Sequence, residues 1–428
     1  MRNKKLFLKQ SFLALTVRVL GSASALIMSL LISRSLSIDD AGRFFLAFAI
    51  FTVLGTFSTF GFNVAFIRFI GGFLAENNWK VINGVFLTGL KVVGLVSVLA
   101  GILVYFFSDI TNVFFPEANL SLLIATLAIS IPCFALYQLI AHAFQGLHRP
   151  LLSVFFQNIS TQLMVIICLA FLIYYDATIT AFSVARLFSF SAFISLILCF
   201  FLWFSQAHTR IGVDNSQTSN LFQSAKPLWF VMVMNTVVQW SGQIIAGAYV
   251  DSDQIAILSI AQRLSLLVTF VLIAVNLIAA PRFAASAKLN KLEELRSTSL
   301  FCSRIMFCIA LPATLLMILF SDFLLGLFGE DYIKGALMLK ILVIGQFFNV
   351  ICGSVGFLLS MSGHEKVFRN VVFFSGPISI ILSFSLIPIF GVMGAAIATA
   401  IAVASQNLLA VFMVKKHLGF NPLNLLRQ

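Results

Sequence analysis

Residues 11–33, SFLALTVRVLGSASALIMSLLIS, decide the fold. The run is long enough to cross a bilayer, because about 20 apolar residues rising 1.5 Å each match a hydrocarbon core of about 30 Å. It also contains an arginine, Arg18. A guanidinium near the centre of a membrane helix costs roughly 2.5–3.5 kcal/mol on insertion scales, so it faces a watery cavity or a partner, or snorkels back to the headgroups. At 3.6 residues per turn, Ser11, Arg18, Ser22, Ser29 and Ser33 fall on one stripe, which makes one face of this helix polar.

The same kind of run recurs along the chain. Of 428 residues, 60% are hydrophobic and 10% charged, a composition that excludes a soluble protein of this size. Breaks at Gly, Pro, Asn and charged clusters divide the chain into twelve spans, roughly 11–33, 43–66, 81–107, 120–145, 151–174, 178–203, 227–250, 254–280, 300–320, 335–361, 367–388 and 392–414. The expectation is an all-α polytopic membrane protein of about twelve transmembrane helices. The 48 phenylalanines read as lipid-facing bulk and helix packing. The six cysteines lie in apolar segments without metal-ligand spacing and read as small fillers, so no metal site is expected. Arg2, Lys4, Lys5 and Lys9 precede the first run as in a signal peptide, but the run exceeds a signal core and no small-residue cleavage site follows, which predicts an uncleaved first span.

Charge sets the orientation. Loops on the side of the N-terminus carry nineteen Lys and Arg residues against four on the other, and the other side holds ten of the fifteen acids. Short loops rich in Lys and Arg stay cytoplasmic, so both termini of this multi-pass protein are predicted to be cytoplasmic. The net charge of +12 therefore follows from topology, and no nucleic-acid partner is expected.

An internal repeat divides the twelve spans. Asp39 to Ala47 aligns with Asp253 to Ala261 at an offset of 214, Arg68-Phe69 with Arg282-Phe283 at the same offset, and Gly146-Leu147-His148 with Ser362-Gly363-His364 at 216. An offset of half the chain predicts two lobes of six helices in the same orientation, over 1–210 and 227–428, joined by a cytoplasmic linker at 211–226. Leu289, Leu292 and Leu295, beside Lys288, Lys291 and Arg296, read as an interfacial helix within 282–299. Pro132, Pro312 and Pro377 fall inside spans and predict kinks.

Four cations fall within spans, Arg18, Lys91, Arg186 and Arg263, and no Asp or Glu does. Arg18 and Lys91 enter from the cytoplasmic side to a depth of about 10–15 Å, and Arg186 and Arg263 lie similarly deep from the outer side. Each either faces a cavity or snorkels. Arg263 shares its helix with the polar residues Ser259, Gln262, Thr269 and Asn276, whereas Lys91 has only Thr88 beside it and Arg186 has Ser183 and Ser189. A second stripe, Asn235 or Thr236, Gln239, Trp240 and Gln243, suits sugar hydroxyls by hydrogen bonding and stacking, or serves as interhelical glue. Asp251-Ser252-Asp253 resembles a glycosyltransferase metal motif but falls on the outer side, and His148 and His364 read as loop-edge residues. Gly391 and Gly394 with Ala395, Ala396 and Ala398 form a small face for close helix packing.

Several stretches resemble the polysaccharide exporters of the multidrug/oligosaccharidyl-lipid/polysaccharide superfamily, the O-antigen type of flippase. They are Arg34-Ser35-Leu36 through Asp40 with Gly42 to Ala47, Ala65-Phe66-Ile67-Arg68-Phe69, Lys226-Pro227-Leu228-Trp229, Pro281-Arg282-Phe283 and Gly391-Val392-Met393-Gly394-Ala395-Ala396. Ala256 and Leu258 depart from the Gly and aromatic residue usual in that family. The resemblance implies two six-helix lobes around a central cavity and the movement of an undecaprenyl-diphosphate-linked oligosaccharide between leaflets. It also implies a bacterial inner membrane as the location, and that Arg18 and Arg263 bind the diphosphate, in keeping with the bidentate fit of arginine to phosphate. Polymerase and chain-length proteins of the same pathway are the partners it suggests. No cofactor is expected, and coupling to H+ or Na+ is left open. The alternatives are a multidrug exporter, for which intramembrane carboxylates are expected, and a polysaccharide polymerase or ligase, for which a large outer loop is expected.

Overall fold

The structure is a computed structural model that describes residues 2–118, 120–206, 212–289 and 291–423. Ten helices among the described residues are long and apolar enough to cross a membrane, and two pairs bent at a short break bring the number to twelve. The chain divides into two compact units, Met1–Val233 with Asp251–Asp253, and Met234–Val250 with Gln254–Gln428.

The first unit begins with α1 (Arg2–Ser35) and α2 (Ile38–Ser58). Ser37 caps α2 by accepting from the Asp40 backbone N–H at 3.2 Å, and Asp39 and Asp40 in the first turn favour the positive end of the helix dipole. Arg43 holds both carboxylates, at 2.7 and 3.9 Å. The span expected to run to residue 66 stops at Ser58. Phe60 and Gly61 take positive φ (50° and 73°), and a separate helix, α3 (Phe62–Ala75), follows. The turn is fixed from outside, because a Cβ on Gly61 would lie 2.6 Å from the Trp229 backbone nitrogen. The Trp229 indole donates to the Phe57 carbonyl at 2.9 Å and stacks on Phe60.

α4 (Trp79–Phe106), the bent pair α5 (Ser121–Ala128) and α6 (Ser130–Gly146), the bent pair α7 (Pro150–Asn158) and α8 (Ser160–Tyr174), and α9 (Ala181–Gln206) complete the six spans. The breaks bend by 42° and 46°. Pro132 is the third residue of α6, where its missing N–H removes no helical bond, and Pro150 opens α7. The 46° break at 158–160 has no proline; Asn158 Nδ2 folds back to the Val154 carbonyl at 3.2 Å and Ser160 Oγ to the Phe156 carbonyl at 3.3 Å. Such side-chain bonds compete with the helical ladder. At this break α1 comes closest, since a Cβ on Gly21 would stand 2.6 Å from Asn158 Cβ. The core of the unit is aromatic: Phe86 stacks on the buried Trp203 at 4.0 Å and 12°, an arrangement worth about 0.5–1.5 kcal/mol beyond area burial. Of the expected linker, residue 211 lies outside the described residues. The Gly212 carbonyl accepts from Asn83 Nδ2 at 3.0 Å and the Asp214 N–H donates to the Lys80 carbonyl at 2.9 Å, so this segment docks on the start of α4. Gly84 leaves room for the Asp214 carbonyl. Thr218 opens α10 (Thr218–Ala246), which continues into the second unit.

In the second unit, α11 (Ser252–Ser265) passes through a 3-10 segment, Leu266–Thr269, into α12 (Phe270–Lys288). The chain then turns and Leu292 opens α13 (Leu292–Leu319), with Lys291 paired to Glu294 and Arg296 to Glu293. The expected interfacial helix at 282–299 is thus two helix ends: Leu289 is exposed in the turn and Leu295 is buried one turn into α13. α14 (Ala336–Ile351) and α15 (Val355–Met361) precede α16 (Glu365–Phe390) and α17 (Val392–Leu418). Pro312 and Pro377 sit inside continuous helices. Of the small face expected on α17, Ala395, Ala396 and Ala398 are buried, while Gly391 precedes the helix with a positive φ of 55°. A Cβ on Gly345 would meet Ala400 Cα at 2.7 Å, and one on Gly242 would meet Thr399 Oγ1 at 2.6 Å. Close backbone approach of this kind drives helix association in lipid.

Candidate functional site

In the first unit, Arg18 lies on α1 one turn before Gly21, and its side chain is exposed. Among the described residues no side chain hydrogen-bonds its guanidinium. The stripe expected to run with it divides: Ser22 is half-buried, with its hydroxyl on the Arg18 carbonyl at 3.3 Å, while Ser29 and Ser33 turn into the helix packing of the unit. The side chain of Ser11 lies outside the described residues.

Lys91 and Arg186 have different surroundings. Lys91 projects from α4 among the exposed Leu87, Leu95 and Val98, opposite the face that packs into the unit through Phe86, Gly89 and Val93. Arg186 sits near the start of α9 with its guanidinium 4.7 Å above the Phe182 ring. Its face continues through the exposed Phe190, Phe193, Ile197 and Phe201. No contact joins Arg18, Lys91 and Arg186 among the described residues.

The second unit gathers most of the remaining candidates. Arg263 lies in the last turn of α11, at the carbonyl end of the helix dipole and directly before the 3-10 segment. Its Nε and Nη2 atoms are fully enclosed by protein. Its neighbours on the helix are locked, because Ser259 bonds the Ile255 carbonyl (2.7 Å), Ser265 the Gln262 carbonyl (2.8 Å) and Thr269 the Leu266 carbonyl (2.6 Å). Gln262 Nε2 donates to the Gln239 carbonyl, tying α11 to α10. Gln243 is buried, Trp240 half-buried, and the Gln239 Nε2 and Asn276 Oδ1 atoms are enclosed without a hydrogen-bond partner among the described residues. Asn235 accepts from Gln406 Nε2 at 3.1 Å, and Gln406 Oε1 accepts from Ser375 at 2.9 Å, which links α10, α17 and α16. Ser241 and Ser379 meet at 2.9 Å.

Asn235 and the Gln239 backbone are therefore held in helix-to-helix bonds, and Arg263 stands beside this polar interior on α11. Sequence reading did not identify Gln406, Ser375, Ser241 or Ser379. Gln406-Asn407 is an amide pair in an otherwise apolar span, and that was the available signal. In the first unit, Gln138, Gln157, Asn158, Thr161 and Gln162 share a cavity of about 70 Å³ with Tyr137 and several apolar side chains. Among the described residues no group of three or more His, Cys, Asp or Glu is placed to hold a metal ion.

The sequence matches the polysaccharide biosynthesis protein family over residues 7–287 and the MatE family over residues 227–385. A probable flippase, AglR, from Haloferax volcanii is 25% identical over 229 residues, covering 52% of this chain and 47% of that protein, so this match spans about half of the relative's length. A putative O-antigen transporter from Shigella flexneri is 24% identical over 392 residues, covering 88% of this chain and 90% of the relative. Among solved structures, the lipid II flippase MurJ in an inward closed conformation superposes with a TM-score of 0.74 at 16% identity, over 96% of this chain and 87% of that one. An inward-facing multidrug resistance MATE family transporter of the MOP superfamily gives 0.76 at 13% identity, over 96% and 98%. At these identities the two structures show a shared fold. The family match covers well over half of the chain, with helices, repeat and span count in agreement, and the chain belongs to the polysaccharide biosynthesis protein family.

Proposed function

We propose that this protein flips a polyprenyl-diphosphate-linked oligosaccharide, an O-antigen, capsule or related repeat unit, from the cytoplasmic to the periplasmic leaflet of a bacterial inner membrane by alternating access. The observation that carries the reading is the pair of arginines, Arg18 and Arg263, set within two helices long and apolar enough to cross a membrane. A diphosphate is the matching counter-charge, and arginine meets it with two parallel charge-assisted bonds. Relatives named as a flippase and an O-antigen transporter support the substrate class.

In this reading Arg18 and Arg263 bind the diphosphate and the prenyl tail stays in lipid. Lys91 and Arg186, each on a helix face of large exposed apolar side chains, snorkel to the headgroups. Asn235 is engaged by Gln406 of α17 and the Gln239 backbone carbonyl by Gln262 of α11, and Gln239, Gln243 and Trp240 are the sugar-contact candidates. Both termini are cytoplasmic by the distribution of Lys and Arg. Moving an anion outward across a membrane that is negative inside is downhill by about 2.3 kcal/mol per charge per 100 mV, which supplies drive without a proton relay through Asp or Glu. The polymerase and chain-length proteins of the pathway are the partners that would take the product.

The test is the sidedness of lipid-linked oligosaccharide in intact spheroplasts with and without the protein, read with an impermeant lectin or glycosidase. Retention on the cytoplasmic side only in its absence is expected. Equal outward exposure in both, in a strain with no second flippase, would overturn the reading and favour export of another solute, for which drug sensitivity is the next measurement.

A further inference from the structure

In the second unit, the start of α16 and the end of α17 meet through two histidines and between them carry six basic side chains. His364 immediately precedes α16, with Nδ1 3.2 Å from Ser362 Oγ, and its ring lies 5.3 Å from that of His417 in the last turn of α17. Lys366 and Arg369 follow on α16, and Lys415 and Lys416 precede His417 on α17. Opposing charge is scarce, since Glu365 is the only acidic residue after Asp331. Among the described residues none of Lys366, Arg369, Lys415 and Lys416 forms an ion pair.

The position of the cluster matters as much as its sign. Both helices are long and apolar enough to cross a membrane and end here, which would set the cluster at headgroup level. One turn deeper, on the same faces, lie exposed phenylalanines: Phe412, 58% exposed, three and four residues before Lys415 and Lys416, and Phe373, 49% exposed, four residues after Arg369. A cationic rim above an apolar wall fits a ligand with an anionic head and hydrocarbon chains. The two imidazoles add hydrogen-bond donors that a diffuse basic loop does not hold in one place.

We infer that the cluster of His364, His417, Lys366, Arg369, Lys415 and Lys416 binds the phosphate headgroup of an anionic phospholipid, whose acyl chains lie against Phe412 and Phe373. This lipid contact is expected whichever solute the protein carries.

The test is a titration of phosphatidylglycerol into the detergent-solubilised full chain, read as the shift in unfolding temperature and repeated with phosphatidylcholine and with inorganic phosphate. Phosphatidylglycerol is expected to bind at least tenfold more tightly than phosphatidylcholine. Lys415→Ala with Lys416→Ala, and separately His364→Gln with His417→Gln, are each expected to weaken it fivefold or more. The charge-preserving pair Lys415→Arg with Lys416→Arg is expected to keep it, as is Lys334→Ala, whose ammonium pairs with Asp331 elsewhere. Because each shift is measured against the same variant without lipid, a general loss of stability does not imitate loss of binding. Equal binding of the two lipids, wild-type affinity in both double variants, or the same shift from inorganic phosphate alone would overturn the inference.

Discussion

The first unit presents its arginine on an open helix face, and the second encloses its arginine within a hydrogen-bonded interior. Arg18 stands one turn before the close contact of Gly21 with Asn158, free of side-chain partners among the described residues. Arg263 has two guanidinium nitrogens enclosed and is flanked by hydroxyls and an amide that are each committed to a backbone carbonyl. The contrast teaches that equal charge does not mean equal preorganisation. A cation fixed by its surroundings holds its geometry before a ligand arrives, while one on an open face loses rotamer freedom on binding.

The largest effect is expected at the enclosed site. Arg263→Gln should reduce export tenfold or more at normal abundance, in line with the roughly 1.5–3 kcal/mol carried by a hydrogen bond to a charged group; export assays on membranes matched by immunoblot measure it. Arg18→Gln should cost less, and Arg18→Lys should restore much of the loss because an open face tolerates a point charge. Arg263→Lys should not, since an ammonium lacks the planar fork. If the two lysine variants behave alike, the contrast between the sites fails.

Smaller effects sharpen it. Gln406→Ala removes the partner of Asn235 and should lower thermal stability by about 0.6–1 kcal/mol while leaving export per folded molecule unchanged. A large loss of export without loss of stability would move Asn235 and Gln406 into substrate contact. The smallest effect is expected from Lys91→Gln and Arg186→Gln, which should export at near wild-type rates. A tenfold loss in either would place that residue in the translocation path.

The twelve spans were legible because run length alone separates a membrane helix from other structure. The repeat was legible for the same reason, since its offset counts spans. Local breaks were not. The turn at Phe60-Gly61 lies inside an unbroken apolar stretch, and its positive φ is stabilised by Trp229, 168 positions later in the sequence. The bend at Asn158 depends on side chains returning to their own backbone, a competition that composition does not reveal. The leucines at 289, 292 and 295 kept helical spacing across a chain turn, so periodicity joined two helices that the structure separates. In the candidate site the charges were conspicuous in the sequence, but their difference in enclosure was not, because it arises from helix-to-helix contacts such as that of Gln262 with Gln239, which spacing along one helix does not reveal.

The stacking of Trp229 on Phe60 gives the protein an intrinsic optical reporter. The chain has four tryptophans, and Trp203 is sealed in the aromatic core of the first unit. Trp229 instead rests on a three-residue turn, bonded through its indole to a single carbonyl. Indole emission moves to longer wavelength as water reaches the ring, so release of this clasp would appear as a red shift. Comparison with Trp229→Phe isolates that signal from Trp79 and Trp240. Fluorescence from an unlabelled chain in a native-like bilayer can thus follow the helix that the two units share.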